Sequence, residues 1–427
     1  MLSDFSNALR GYHALLRGVV EILEIFPPRR LDKEEAVLRK GFYQPITPIT
    51  GNTVWVHGAS LGEIITLRPF LSRISQRFGP EKILATSTTA DGLKQLKNEN
   101  LVGHATFLPI EIPEFVEPFL DRTKPGLVLF SETEIWPLLL AILSRRGIPY
   151  GIINARINPR TVKCLKLLRS LFSNGVEGLS FVFPQNRQYA ARFNSLGVSK
   201  DKIQVLGSFK YDIFPPHFCK SKLREKLGIP IGRAVFCFGS TRSGEESIIL
   251  DALEPLWSRI SATVVIAPRH LERVPEVERL LSDRNIDFTR LSKHKSPTPH
   301  VLLVDVLGEL RNIFAVSDLA FVGGSLAPFG GHNVMEPAAF SVPVISGPFT
   351  ENFRSEIQAL KGLNALIEVF DRKTLTEALR RFIVSPESFK EYGFRANEVL
   401  KRMAGASQRT ESMLDKLNLF PKCLLKS

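Results

Sequence analysis

The chain of 427 residues is 44% hydrophobic and 23% charged, with a formal net charge of +13. That composition excludes a disordered or collagen-like chain, and the length favours two domains. The basic residues sit in small groups such as Arg29-Arg30, Arg145-Arg146 and Arg380-Arg381. This spread excludes a basic nucleic-acid-binding tail and suits a protein that meets an anionic surface or an anionic substrate.

Residues 8–26 are the first element and the one candidate for membrane contact; no signal-peptide pattern is evident. Arg10, Arg17, Glu21 and Glu24 interrupt the segment, so it makes a poor spanning helix. Leu9, Tyr12, Leu16, Val19, Val20 and Leu23 recur at helical spacing, and Pro27-Pro28 and Arg29-Arg30 follow. The spacing predicts an amphipathic helix that lies either on an anionic membrane or against the protein.

From Thr53 onward, apolar runs alternate with helical patterns. Strands are expected at Thr53–His57, Lys82–Ser87, His104–Leu108, Gly126–Phe130, Tyr150–Asn154, Phe181–Phe183 and Ile203–Leu206. Helices are expected at Ser60–Phe78, Ala90–Asn98 and Ile135–Arg146. Residues 213–220 carry two prolines and no periodicity, as a linker would. The pattern restarts with strands at Val235–Gly239, Thr263–Ala267, Val301–Asp305, Leu319–Val322 and Val344–Ser346. A helical tail closes the chain. The expectation is α/β: two doubly wound Rossmann-like domains facing a cleft, with ligands at the carboxyl ends of the strands. The boundaries are 1–52 for the N-terminal segment, 53–212 and 222–386 for the domains, 213–221 for the linker and 387–427 for the tail.

Candidate site residues stand where strands give way to helices. Glu63 follows the first strand; it is placed for general-base work, although Ser60-Leu61-Gly62-Glu63 also fits a capping box. Glu132 follows the Gly126–Phe130 run, with Ser131 and Glu134 fitting a second cap. Lys210 lies in Leu206–Asp212 at the end of the first domain. In the second half, Ser240–Glu246 forms a polar turn opening on acids, which can hold an anion or complement the helix dipole. Arg269 after Pro268 offers a forked donor to phosphate. Gly308-Glu309 opens a helix after Leu307. The densest signal is Leu319–Pro348, a strand followed by a glycine-rich turn, Gly330-Gly331-His332-Asn333, and a helix start at Asn333–Glu336. Such a turn lets backbone N–H groups approach a phosphate, and Glu336 can accept from ribose hydroxyls.

Cys164, Cys219, Cys237 and Cys423 form no Cys-x-x-Cys pair, and the eight histidines are scattered. Free thiols are expected, and no metal site.

The runs HGASLGE, ETEIWP, NARI, STRSGEE, PRH, GEL and FVGGSLAPFGGHN, in this order, resemble the transferases of 3-deoxy-D-manno-octulosonic acid (Kdo) in lipid A biosynthesis. The resemblance spans Val54 to Gly347 and implies a GT-B type glycosyltransferase. It implies that Kdo moves with inversion from CMP-Kdo to a hydroxyl of the glucosamine disaccharide of a lipid A precursor (lipid IV-A). It further implies Glu63 as catalytic base and Glu132 and Lys210 as transition-state stabilisers. Pro268, Arg269, Leu307, Gly308, Glu309, Asn333, Val334, Met335 and Glu336 then contact CMP. No cofactor or metal is implied. The partners would be CMP-Kdo, the lipid A precursor and an anionic membrane, with no nucleic acid. The location would be the cytoplasmic face of the inner membrane, as a peripheral or monotopic protein. Ser208 and Arg242 depart from the asparagine and histidine common in this family. The alternatives are another GT-B enzyme using a UDP-sugar, a nucleotide-sugar epimerase, or a membrane-associated nucleotide-binding scaffold.

Overall fold

The computed structural model describes residues 5–25, 33–41, 52–212, 219–230, 232–259, 261–293, 300–421 and 424. Pro27-Pro28, Arg29-Arg30, Cys423 and most of the expected linker, residues 213–218, lie outside the described residues. The chain forms two units: Met1–Asp212 with Ala404–Ser427, and Ile213–Met403.

The first unit is built on six parallel strands, β1 (Thr53–His57), β2 (Ile83–Ser87), β3 (His104–Phe107), β4 (Pro125–Ser131), β5 (Tyr150–Ala155) and β6 (Phe181–Pro184), in the order β3-β2-β1-β4-β5-β6. Every residue of β1, β2 and β5 is buried, as expected for strands covered on both faces, so they read as continuous apolar runs rather than alternating ones. One core contains Trp55, Val128, Phe130 and the helix Pro137–Arg145; the other contains Val54, Val56, Leu127 and the helix Leu61–Phe78. The order reverses between β1 and β4, which makes the carboxyl ends of those two strands the natural ligand crevice. The expected strand at Ile203–Leu206 does not form. Ile203 makes a single bridge to Val182, and Gln204 and Leu206 donate to the carbonyls of Val182 and Pro184, so the segment runs beside β6 without a ladder.

The second unit holds seven parallel strands: β7 (Ala234–Thr241), β8 (Ala262–Pro268), β9 (Phe288–Arg290), β10 (Val301–Leu303), β11 (Leu319–Val322), β12 (Val344–Ser346) and β13 (Leu366–Glu368). Their order is β13-β12-β11-β7-β8-β10-β9, reversing between β7 and β11. The edge strands β9 and β13 escape sequence reading because each has three residues and is only partly buried.

The expected helical tail is divided between the units. Helix Pro386–Met403 packs on the second, where Gly393 meets Ser341 so closely that a Cβ would lie 1.9 Å from its carbonyl oxygen. Gly405, at φ +85°, turns the chain. Helix Ala406–Lys416 then joins the first unit, placing Ala406 and Leu414 in the core that holds Phe70. The Asp212 carboxylate caps it, accepting from the N–H groups of Ala406 at 3.2 Å and Ser407 at 2.7 Å. Arg73 and Arg77 hold Glu411.

Helix α1 (Asn7–Ile25) also splits its faces. Leu9 and Val20 are buried against the first unit, while Leu15, Val19 and Ile22 are exposed at 64%, 45% and 60%. No helix among the described residues is long and apolar enough to cross a membrane.

Candidate active site

Each unit carries several of its candidate residues at the carboxyl ends of its strands. In the first, Glu63 is in the opening turn of the helix after β1. Ser60 is the N-cap of that helix, its hydroxyl accepting from the Glu63 N–H. The Glu63 carboxylate accepts in return from the Ala59 N–H at 3.1 Å and the Ser60 hydroxyl at 3.3 Å. It also lines a cavity of about 390 Å³ with Glu132, Glu134, Arg156, Asn158 and Tyr189. Burial, then the neighbouring charges of Glu132 and Glu134, push the Glu63 carboxyl up to about 7, against the two bonds that favour its charged form.

Glu132 follows β4 at φ +58°, a left-handed backbone that costs a non-glycine residue roughly 1–3 kcal/mol and tends to occur where a side chain must be aimed. Its backbone is fixed by N–H donation to Ile153 and by the Arg156 N–H donating to its carbonyl. Burial raises its carboxyl, while the Arg156 guanidinium, paired with it, and Lys210 hold it back. Lys210 is not part of the cavity lining. It stands on the turn Phe209–Tyr211, its ammonium 4.9 Å from the Tyr211 ring centre. Asn154 of β5 steadies that turn by accepting from the Phe209 N–H at 3.1 Å. Ser208, beside it, has a buried hydroxyl without a hydrogen-bond partner.

The second expected cap is absent. Ser131 belongs to β4, and the helix begins at Pro137 rather than Ile135. Proline has a pre-set helical φ and no N–H to satisfy, so it opens the helix there. Glu134 is thereby released from capping. Its Oε2 accepts from the Trp136 indole at 2.8 Å and lies 3.4 Å from Nε2 of the fully buried His57. His57 Nδ1 faces the Thr86 carbonyl oxygen at 3.1 Å. Arg156 and His57 belong to recognisable sequence runs, but nothing in their spacing assigned them a part in the pocket.

In the second unit, the loops after β7, β8 and β11 converge. His332 is pushed down to about 4 by burial and by the positive charges of Arg269, Arg242 and His270, which keeps its ring neutral near pH 7. Arg242 bonds His270 and sits over the Phe329 ring, 4.6 Å from its centre. Pro268 ends β8, and the Arg269 N–H donates to the Thr241 carbonyl at 3.0 Å, leaving an exposed side chain at the strand end. Glu336 is raised by burial and held back by its bond from the Asn333 amide and by Arg269 and Arg311. Asn333 also accepts from the Met335 N–H at 3.1 Å, while Val334 is buried. After β10, Leu307 is 79% exposed, Gly308 turns at φ +87°, and Glu309 accepts from the Asn312 amide.

The segment directly after β11, ahead of the glycine-rich turn Gly330-Gly331-His332-Asn333, is not an open phosphate cradle. The N–H groups of Gly324, Ser325 and Leu326 donate to the Glu245 carboxylate at 2.7, 2.9 and 2.8 Å, and the Arg242 N–H adds a fourth bond at 2.8 Å. Glu245 is fully buried. The Glu245 carboxylate therefore occupies these donors itself, and it ties the loop after β7 to the loop after β11. Its neighbour Glu246 is also buried, bound by Arg273 at 2.8 and 3.0 Å and by the Thr241 hydroxyl. The Arg242 and Arg269 side chains bring positive charge close to His332 in this unit.

Comparison with known proteins identifies relatives of the chain. A family model described as 3-deoxy-D-manno-octulosonic-acid transferase (kdotransferase) matches residues 34–213. The chain is 30% identical over 418 residues to the 3-deoxy-D-manno-octulosonic acid transferase of Haemophilus influenzae, covering 96% of this chain and 97% of that one. It is 31% identical over 366 residues to the enzyme of the same name from Chlamydophila psittaci, covering 83% of each. Among solved structures, the UDP-GlcNAc 2-epimerase of Neisseria meningitidis has a TM-score of 0.61 at 16% identity, covering 85% of this chain and 100% of that chain. That likeness shows the shared two-domain GT-B type fold alone. Motif order, fold and full-length similarity lead to one assignment: the chain belongs to the 3-deoxy-D-manno-octulosonic acid transferase family.

Proposed function

We propose that this protein is an inverting glycosyltransferase of lipopolysaccharide biosynthesis that moves Kdo from CMP-Kdo to a hydroxyl of the glucosamine disaccharide of a lipid A precursor, lipid IV-A. The observation that carries this reading is the Glu63 carboxyl, raised to about 7 in a pocket shared with Glu132 at the strand-order reversal. A base with a pKa near the working pH is suited to taking a hydroxyl proton.

In the proposed step, Glu63 accepts the proton of the acceptor hydroxyl. The oxygen forms its bond to the anomeric carbon as the bond from that carbon to the CMP phosphate oxygen breaks. The electron pair leaves on the phosphate, and CMP departs. Positive charge develops on the sugar, as in glycoside hydrolysis. Glu132 stabilises it from the first unit, and Lys210 serves the sugar carboxylate or the departing phosphate. Arg269 answers the phosphate charge, and Glu336 with Asn333 meets the ribose. Pro268, the turn Leu307, Gly308 and Glu309, and Val334 with Met335 complete the nucleotide contacts.

No cofactor or metal is assigned a part, so turnover is expected to survive chelation with EDTA. The lipid acceptor points to the cytoplasmic face of the inner membrane and a peripheral or monotopic attachment. The exposed Leu15, Val19 and Ile22 stripe of α1 supports that attachment. Incubation with CMP-Kdo and a tetraacyl disaccharide acceptor, followed by mass spectrometry, tests the whole reading. A product heavier by Kdo is expected. A product formed instead from a UDP-sugar, or stronger competition by UDP than by CMP, would overturn it.

A further inference from the structure

Glu111 lies outside the reaction just described, yet it is one of the most constrained carboxylates of the first unit. It is 3% exposed. Its Oε1 accepts from the Tyr12 hydroxyl of α1 at 2.7 Å. Its Oε2 accepts from the N–H groups of Leu138 and Leu139 at 3.0 and 3.3 Å. Those are among the first N–H groups of the helix Pro137–Arg145, which would otherwise lack a partner inside the helix. The N-cap residue, Trp136, provides no side-chain cap. The cap therefore comes from a residue 27 positions earlier in the chain.

That helix is the direct continuation of the acidic segment Glu132–Trp136. Trp136 is hydrogen-bonded to Glu134, which lines the pocket with Glu63 and Glu132. A continuous set of contacts thus runs from α1 through Tyr12, Glu111 and the helix start to the pocket carboxylates. The rest of α1 is anchored on the same side: His13 pairs with Glu114 at 3.0 Å, and Leu9 joins the core that holds Leu138 and Ile142.

We propose that Glu111 is a positioning residue for the acidic segment, and that α1, acting through Tyr12, holds that segment in the arrangement that supports transfer. The helix exposed to a lipid surface is then also part of the machinery that sets the pocket. This rests on the reading of the Glu63–Glu132 pocket as the transfer site. Burial raises the Glu111 carboxyl to about 7 even though the Tyr12 and helix N–H bonds lower it. Without the Tyr12 bond, Glu111 shifts further toward its neutral form, which is a poorer cap because one oxygen then carries a proton.

The test is Tyr12→Phe in the full chain, which keeps the ring and its packing. Hydrogen exchange is measured on peptides covering residues 132–139 and on peptides of the second unit. Turnover of CMP-Kdo is measured per CMP-binding site, counted by calorimetry. Exchange in 132–139 should rise by roughly tenfold, as for loss of one hydrogen bond to a charged acceptor, with the second unit unchanged. Turnover should fall by about the same factor at an unchanged KM for the donor. A purely structural bond would lower the melting temperature without changing turnover per binding site. Unchanged protection in 132–139, or unchanged turnover, overturns the inference. The exchange measurement stands even if no Kdo transfer is found, and Glu63→Gln reports separately on the transfer reading.

Discussion

The Glu63 carboxylate reaches back to the Ala59 N–H at 3.1 Å while also lining the pocket that contains Glu132. The cap and the proposed base are therefore the same side chain in the same rotamer. The Ala59 N–H holds one carboxylate oxygen and the Ser60 hydroxyl the other, so in the proposed reaction capping would serve as preorganisation for proton transfer.

Glu63→Gln should keep the fold and CMP binding and lose turnover by at least about 100-fold, the lower end for removal of a general base. The amide oxygen can still accept from Ala59 but cannot take a proton. Steady-state rates beside CMP calorimetry decide it; near-normal turnover would leave Glu63 as a cap only.

The pH dependence of the same residue has two signs. A base raised to about 7 must be deprotonated to act, so kcat/KM should rise with pH through about 7. Stability runs the other way. The folded state holds the proton more tightly than the unfolded chain, whose value is near the ordinary 4.5, so Glu63 makes the protein less stable as pH rises from about 4.5 through about 7. Glu63→Gln should melt above the parent at pH 8, and the gap should close as the pH falls toward 4.5. Thermal melts across that range check the sign.

Arg269→Ala should weaken CMP by about 1.5–3 kcal/mol, the worth of a charge-assisted bond to phosphate. Calorimetry with CMP reads it directly. Unchanged affinity would restrict Arg269 to its backbone bond with Thr241.

Glu245→Ala should cost about 3 kcal/mol or more, because it leaves four backbone N–H groups without their acceptor, three of them buried. CMP affinity should fall with it, since the loops that carry Arg242 and His332 lose their tie. Denaturant melts of the second unit and CMP titration test both effects. A variant of parental stability would mean that the loop holds its shape without the internal anion.

Leu15→Glu combined with Val19→Glu and Ile22→Glu should release the protein from anionic liposomes and leave turnover on a detergent-dispersed acceptor intact. These side chains are exposed, so the substitutions spare the buried face of α1. Deleting the helix would instead uncover Leu9 and Tyr12 contacts of the core. Flotation decides the matter; a triple variant that still floats would locate the lipid contact elsewhere.

The alternation of apolar runs with helical patterns was enough to determine the buried strands of both parallel sheets, though not β9 and β13, because fully buried strands carry their burial in consecutive residues. It also determined that Glu63, Glu132 and Arg269 stand just past strands, where such folds bind ligands. Tertiary structure decided what each polar group meets. Glu245 is bonded to Gly324, Ser325 and Leu326, which lie 79 to 81 residues away, because β7 and β11 are neighbours in the sheet. Glu111 caps a helix to which no local motif connects it, and Glu134, which local spacing would make a cap, faces His57 instead. The tail reads as one helical stretch but divides at Gly405, since its two halves bury against different cores. The physical reason is common to all of these. Periodicity records whether a side chain is buried, whereas its hydrogen-bond partner depends on strand order, which brings distant segments together and leaves no trace in local spacing.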